Sequence, residues 1–364
     1  MLGVLNKCRQ VYTRVSFPAQ GLVSVALALL QELYRNPRLI AQRKDAHMPS
    51  VTKPIVVVGS INTDLVVRAG HIPLCGETVL GSDFQINAGG KGANQAVAVA
   101  RLGYPVRLIG QLGSDLFGTH LKEHLTSAGV DVSSVGRVEG SSGVALIVVA
   151  ASGDNSIVVA PCANSFVSPA FLDHHIDTIR SAGAVLTQLE IPLETVVHLA
   201  EICADANVPL ILDPAPAREI PASTLKQLTW FTPNETEAAF FAGDAGSASS
   251  TLEPGAIAAS ILAKGISRVV LKMGARGAYL ATSTCEEQIE PFHAEVVDTT
   301  AAGDAFNGAF AMSLMLGKTP IDSARFAAAA GAICVTRKGA QSSMPAIKDV
   351  EHLLRTVLAT NGRA

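Results

Sequence analysis

From residue 55 onward, short runs of β-branched residues alternate with segments of helical spacing, and no other feature constrains the fold as much. Such alternation is the pattern of a parallel sheet covered by helices. The runs at 55–58, 106–110, 184–189, 210–212, 230–232, 269–272 and 278–281 read as strands. Helices are predicted at 92–102, 117–128, 169–182, 193–206, 235–242, 257–264, 305–316, 321–335 and 348–358, and Gly103, Gly129 and Gly265 stand where helices stop. The expected fold is therefore α/β, a doubly wound, mostly parallel sheet flanked by helices. Two stretches break the alternation. Residues 65–85 carry Pro73, Gly76 and Gly81 between β-prone pieces, and residues 144–159 read as a hairpin around Ser152, Gly153, Asp154 and Asn155. Together they predict a small β-sheet standing off the main domain as a lid or a dimer contact.

A chain of 364 residues with 48% hydrophobic content can bury a large core. A net charge of −3 with 16% charged residues gives no electrostatic case for nucleic acid or for an anionic membrane, so a small molecule is the expected partner. Cys8, Cys75, Cys162, Cys203, Cys285 and Cys334 are far apart and form no C-x-x-C pair. That argues against a metal cluster or a disulfide framework and fits a reducing, cytoplasmic setting. Residues 1–47 differ from the rest: an uncharged stretch at 15–31 follows Lys7, Arg9 and Arg14. A signal segment or short anchor is one reading. The preferred one is a leader of unknown role or a misassigned start, because Met48 stands just before the first strand.

The run Asp298-Thr299-Thr300-Ala301-Ala302-Gly303-Asp304-Ala305-Phe306-Asn307-Gly308 puts two acids and a small-residue turn at the start of an apolar helix. Ala301, Ala302 and Gly303 have no bulk to keep a phosphate away. The first N–H groups of the helix at 305–316 lack intrahelical partners and favour an anion. Asp304 would sit at that helix start, placed to take a proton from a hydroxyl while developing phosphate charge rests on the adjacent amides. The competing reading is an N-cap aspartate after a tight turn.

Asn87-Ala88-Gly89-Gly90-Lys91-Gly92-Ala93-Asn94-Gln95-Ala96 is a second glycine-rich turn opening a helix, with Lys91 bringing a cation and Asn94 an amide suited to a polyol hydroxyl. It lacks the spacing of a Walker loop. Gly59-Ser60-Ile61-Asn62-Thr63-Asp64 follows the first strand, so Asn62 and Asp64 are placed either to bond a sugar in the ligand crevice or to form an Asx-type turn. Glu190 closes an apolar strand, where a charge needs water or a ligand. Asn234 and Glu237, three apart in Pro233-Asn234-Glu235-Thr236-Glu237, suit either a helix cap or waters around Mg²⁺. The Lys272-Met273-Gly274-Ala275-Arg276-Gly277 turn would let a nucleotide approach the backbone, and residues 335–343 form a polar loop after a nearly all-apolar helix.

These motifs, in this order, resemble the ribokinase-like carbohydrate kinase (pfkB) family over most of the chain. The carriers are G-G-K-G-A-N-Q-A, L-E-x-P-L-E, P-A-P-A-R, P-N-E-T-E, D-T-x-A-A-G-D-x-F-N-G and V-T-R-K-G-A-Q. The resemblance implies a kinase domain at 54–360, with lids at 65–85 and 144–159 that pair into homodimers. It implies ATP-dependent phosphorylation of D-ribose at O5, with Asp304 as base and Asn62, Asp64, Gly90, Lys91, Asn94 and Glu190 holding the sugar. Asn234, Gly303, Lys272, Met273, Gly274, Ala275, Arg276 and Gly277 would line the ATP site, and Ala301, Ala302 and Gly303 the anion hole. Asn234 and Glu237 would bear on Mg²⁺, through water. A K⁺ ion would be held by the Asp298 and Ser343 side chains and by carbonyls of Thr300, Cys334, Arg337 and Gly339. Ala328 departs from the family, many of whose members carry a polar residue there beside the adenine. Kinases of the same fold for deoxyribose, a ketohexose or adenosine are alternatives, as is a non-catalytic sugar sensor. A dinucleotide-dependent oxidoreductase would need G-x-G-x-x-G after the first strand, where Gly59-Ser60-Ile61-Asn62 stands.

Overall fold

The computed structural model describes residues 52–243 and 253–361, so the leader expected at 1–47 lies outside the described residues. Its first strand, β1 (Ile55–Val58), is buried along its whole length, as a run of four β-branched residues is in the middle of a helix-covered sheet. The chain continues through β2 (Asn62–Ala69), β3 (Gly81–Gly89), α1 (Lys91–Arg101), β4 (Val106–Gly113), α2 (Leu116–Ser127), β5 (Asp131–Val138), β6 (Gly143–Ala150) and β7 (Asn155–Ala160). Next come α3 (Pro169–Asp173), α4 (Ile176–Arg180), β8 (Ala184–Thr187), α5 (Leu193–Asp205), β9 (Leu210–Leu212), α6 (Ala222–Gln227), β10 (Trp230–Phe231) and α7 (Glu235–Ala242). The remainder is α8 (Pro254–Leu262), β11 (Arg268–Lys272), β12 (Ala278–Thr282), β13 (Glu286–Ile289), α9 (Ala302–Met315), α10 (Pro320–Cys334) and α11 (Ile347–Asn361).

Nine strands form one sheet in the order β13-β12-β11-β10-β9-β8-β1-β4-β5. From β5 to β11 every pairing is parallel, and β12 and β13 add an antiparallel edge. Side chains alternate across the sheet. Ile55 and Val57 join one apolar layer with α1, α9 and α10, and Val56 and Val58 join the opposite layer with α5, α7 and α8. The sheet is thus doubly wound, as expected. The order reverses at β1, so the crevice at the carboxyl ends of β1 and β8 is the natural ligand position. The second sheet, β3-β2-β6-β7, is joined to the first by short links before β2, before β6 and after β3. No helix of the described residues is long and apolar enough to cross a membrane.

Three local differences from the sequence reading have physical causes. The helix expected at 169–182 breaks into α3 and α4, where the His174 ring nitrogen lies 2.6 Å from the Ala170 carbonyl and competes for it. β5 and β13 were not expected, because edge strands facing water carry polar residues such as Asp131, Arg137, Glu286 and Gln288 and show little apolar signal. Finally, α9 starts at Ala302 rather than 305, because Ala301 takes a left-handed conformation (φ 60°) that turns the chain early.

α9 is buried through most of its length and packs between α1 and α10. Phe310 is fully buried there, its ring edge-on to Trp230 at 5.0 Å and stacked with Phe306 at 6.2 Å. Phe310→Ala is expected to lower the free energy of unfolding by about 3–5 kcal/mol, the usual cost of emptying an aromatic core site. Urea denaturation of the variant and wild type measures the difference.

Candidate active site

Because β1, β8, β9, β10 and β11 are parallel, the residues that follow them meet at one edge of the sheet. Ser60 follows β1, Gln188 and Glu190 follow β8, Asp213 follows β9, Asn234 follows β10, and Lys272 ends β11. The heads of α1 and α9 close the same edge. They enclose a cleft of about 400 Å³ lined by Lys91, Asp213, Lys272, Gly303 and Asp304, among others. A larger depression of about 610 Å³ opens between α10 and α11, but its charged groups are the surface side chains of Arg337, Lys348, Asp349, His352 and Arg355.

Asp304 is the third residue of α9, and its carboxylate turns inward rather than capping its own helix. Oδ2 accepts a 2.9 Å bond from Asn94 Nδ2, and Oδ1 a 3.1 Å bond from Gln95 Nε2. The N-cap reading of Asp304 is therefore excluded; Ala301 occupies that position. Burial pushes the Asp304 carboxyl up to about 6, with Lys91 opposing the shift, Asp213 adding to it, and the Asn94 and Gln95 hydrogen bonds opposing it. At the turn, the Ala305 N–H makes the first intrahelical bond, to the Ala301 carbonyl at 2.9 Å. The Gly303 and Asp304 amides stand ahead of it. The Ala302 N–H is already engaged by the Thr299 carbonyl at 3.3 Å. Gly303 faces Lys272, since a Cβ placed on it would stand 3.4 Å from Nζ.

The turn into α1 needs its glycines. Gly90 has φ 87°, and a Cβ there would lie 2.6 Å from the Asn62 amide nitrogen. The turn brings Lys91 against Glu190, whose Oε2 accepts from the Lys91 N–H at 3.3 Å and from the Ser60 hydroxyl at 2.5 Å. Burial alone would depress the Lys91 ammonium, but Asp304, Asp213, Glu190 and Glu237 outweigh it and hold the pKa above its usual value. Asn62 and Asp64 open β2 and are both buried. Asn62 Oδ1 accepts a 2.7 Å bond from Asn164. They are strand residues, so the Asx-turn reading does not hold. Burial, then Glu190 and Asp304, push Asp64 up to about 7 against the pull of Lys91. Asn94 Oδ1 is buried with no partner among the described residues, an acceptor facing an unfilled need.

On the other side of the cleft, Asn234 caps α7 and forms a complete capping box with Glu237. Asn234 Nδ2 also donates to Glu237 Oε1 at 2.9 Å. Burial and Asp213 raise the Glu237 carboxyl, with Lys272 and the Asn234 N–H opposing. Lys272 Nζ donates to Asp213 Oδ1 at 2.8 Å. Met273 is buried in the core, while Gly274, Ala275 and Arg276 form a surface turn closed by Gly277 (φ 81°), and Arg276 pairs with Glu235.

A third cluster lies behind the α9 turn. Asp298 accepts from the Thr300 N–H (2.9 Å), the Thr300 hydroxyl (2.6 Å) and the Gly339 N–H (2.9 Å). Burial alone would raise the Asp298 carboxyl, but these bonds, led by the Thr300 hydroxyl, together outweigh it and hold the carboxyl below its usual range. Cys334 Sγ lies 2.9 Å from the Ser343 hydroxyl and 3.8 Å from the Thr300 carbonyl. The Cys334 carbonyl accepts from the Arg337 N–H at 3.1 Å, and the Arg337 side chain turns away to Asp349. The sequence reading missed Asp213, Gln95, Gln188 and Asn164. Asp213 follows an apolar strand just as Glu190 does, so the same reasoning would have found it.

Residues 52–347 match the pfkB family carbohydrate kinases. Ribokinase of Bacillus subtilis is 40% identical over 82% of this chain and 99% of its own. Deoxyribokinase of Salmonella typhi is 36% identical over 82% of this chain and 98% of its own. The structure of Arabidopsis thaliana ribokinase complexed with ribose and ATP superposes with a TM-score of 0.77 at 37% identity, covering 84% of this chain and 99% of that one. This chain belongs to the pfkB family of carbohydrate kinases.

Proposed function

We propose that the protein is a ribokinase, transferring the γ-phosphoryl group of ATP to O5 of D-ribose and releasing D-ribose 5-phosphate and ADP. The observation that carries this reading is the Asp304 carboxylate, buried in the cleft, oriented by two side-chain amides and one residue from the Gly303 turn. The relatives named ribokinase support it. In this reading Asp304 takes the proton from the sugar hydroxyl as the oxygen bonds to the γ-phosphorus, and the bond to the β-phosphate oxygen breaks with its electron pair leaving on ADP. The Gly303 and Asp304 amides meet the transferring charge, with Ala301 and Ala302 as the small residues that let it approach. Asn62, Asp64, Gly90, Lys91, Asn94 and Glu190 hold the sugar, and Asn234 with the turn at 272–277 lines the nucleotide side.

A divalent cation accompanies ATP in such transfers, and Mg²⁺ is our assignment. Asn234 and Glu237 bond each other directly, so they suit a hydrated ion met through water rather than by direct ligation. When bound, Mg²⁺ supplies charge neutralisation on the β- and γ-phosphates. The oxygen donors around Asp298, Thr300, Arg337, Gly339 and Ser343, drawn together with Cys334, fit a hard monovalent cation, which we assign as K⁺. We further propose a homodimer in which the small sheet is a lid and supplies the contact. That sheet exposes Phe84, Ile86, Leu146 and Val158 on one side, an apolar face of the kind interfaces cover. A cytoplasmic location accords with this substrate chemistry.

Asp304→Asn is expected to lower kcat by about 10²- to 10⁴-fold, roughly 3–5 kcal/mol of barrier, while ribose still binds. A coupled ADP-release assay reads kcat, and calorimetry reads binding. In the wild type the acid limb of kcat/KM falls between pH about 7 and about 6 as Asp64 and then Asp304 take up protons, since a protonated Asp64 turns one acceptor into a donor and a protonated Asp304 can take no proton from the sugar. A profile flat down to pH about 5 would contradict both roles.

K⁺ is expected to raise the initial rate over that in an equal concentration of tetramethylammonium, because the Thr300 carbonyl adjoins the turn that receives the phosphate. Equal rates would remove the assignment.

Deoxyribose phosphorylation is the rival, favoured by the relative named for it. The unpartnered Asn94 Oδ1, with Asn62, Asp64 and Glu190, offers more polar groups than a deoxy sugar satisfies, and each left unpaired costs about 1–3 kcal/mol. kcat/KM is therefore expected to be higher for ribose than for 2-deoxyribose, and Asp64→Ala should raise KM for ribose more than for the deoxy sugar.

A further inference from the structure

Gln95 follows Asn94 on α1 and is completely buried. Its amide nitrogen stands 3.1 Å from Asp304 Oδ1 and 3.1 Å from Asp213 Oδ2, and its amide oxygen accepts a 2.6 Å bond from Gln188 Nε2. Ionised carboxylates only accept, so two of them force the NH₂ end of Gln95 to their side. The oxygen end then faces Gln188 and forces that amide, in turn, to present its NH₂. The acids dictate the direction of the whole chain. The cost is visible in Gln188 Oε1, which is buried without a partner among the described residues. It is confined against Gly59, where a Cβ would lie 2.1 Å from Oε1.

We propose that Gln95, anchored at its oxygen end by Gln188, is a positioning residue that stands between Asp304 and Asp213, fixes the plane of the Asp304 carboxylate and keeps it ionised for proton abstraction. This rests on the assignment of Asp304 as base. Two lone-pair directions of that carboxylate are taken by Asn94 and Gln95, and the others are left for the sugar hydroxyl. The charged and titratable groups around Asp304 are Lys91 on α1, Asp213 after β9, Asp64 on β2 and Cys334 on α10. Removing the Gln95 amide takes away a donor that favours the charged form and leaves Asp213 facing Asp304 with no shared N–H between them. Both changes raise the pKa of Asp304 and so move the acid limb toward higher pH.

The test is the pH profile of kcat/KM for ribose, with kcat and KM measured separately. Gln95→Met keeps the bulk and removes the amide. It is expected to move the acid limb up by about one unit and to lower kcat at neutral pH about tenfold or more, with KM for ribose changed less than about threefold, since both ends of the Gln95 amide are already taken up by Asp304, Asp213 and Gln188. Gln188→Met removes the anchor on the Gln95 oxygen end, loosening the placement of its NH₂ on the two acids, and is expected to shift the limb the same way by a smaller amount. Lower activity with an unmoved limb would assign both amides to packing alone and overturn the proposal, as would wild-type profiles in both variants. Should Gln95→Met not fold, Gln188→Met decides by the same criterion. A wild-type protein that releases no ADP with ribose overturns the kinase reading and this inference together; an active wild type with unmoved limbs in the variants overturns this inference alone.

Discussion

One ammonium group, that of Lys91, stands among the carboxylates of Asp304, Asp213, Glu190 and Glu237. Burying so many acids in one place is costly unless opposite charge and hydrogen bonds compensate, and uncompensated carboxyls would take up protons instead. Lys91 and the Lys272 ammonium on Asp213 supply the charge, while Ser60, Asn94, Asn234 and Gln95 supply the hydrogen bonds. The balance is incomplete at Asp304, Asp64 and Glu237, whose carboxyls remain raised. A carboxylate held just inside its charged range is a better base than one fully stabilised by its surroundings. The same cluster that strains the fold therefore suits the chemistry.

Sheet topology is what lets four separate segments contribute to that cluster. Parallel strands all end at the same edge, so an acid or amide placed just after each strand arrives at the same spot without any long loop. Glu190, Asp213 and Asn234 use this rule in succession along β8, β9 and β10. The heads of α1 and α9 then face the acids from above. Both helix starts depend on unusual backbone, a left-handed glycine before Lys91 and a left-handed alanine before Ala302.

The inner strands were legible because they are short, mostly apolar runs, of which β1 is wholly β-branched, whereas β5 and β13 were hidden by the polarity that protects an edge. Asp304 was legible as a chemical group from its small-residue turn, but its place in the helix was not. No propensity argument assigns φ 60° to Ala301, and that one residue moves the helix start and turns Asp304 from a candidate cap into a buried acceptor. Gln95, Gln188 and Asn164 were invisible for a different reason. Their partners lie about a hundred residues or more away in sequence, at Asp304, Asp213, Gln95 and Asn62, and an amide in an apolar segment carries no local sign of what it will meet.

The way the small sheet is rooted has a geometric result. Asn62 sits side by side with Gly89 and Gly143 where β2, β3 and β6 join the main body. A pivot through that row would leave Asn62 almost stationary while distance magnifies any rotation along the strand. Over the eight residues of β2 the lever arm is about 23 Å, so a tilt of about 10° carries its far end through about 4 Å. Asn62, one of the residues we assign to the sugar, lies on the axis of such a movement, so a tilt would carry the far end of the sheet while leaving that side chain in place.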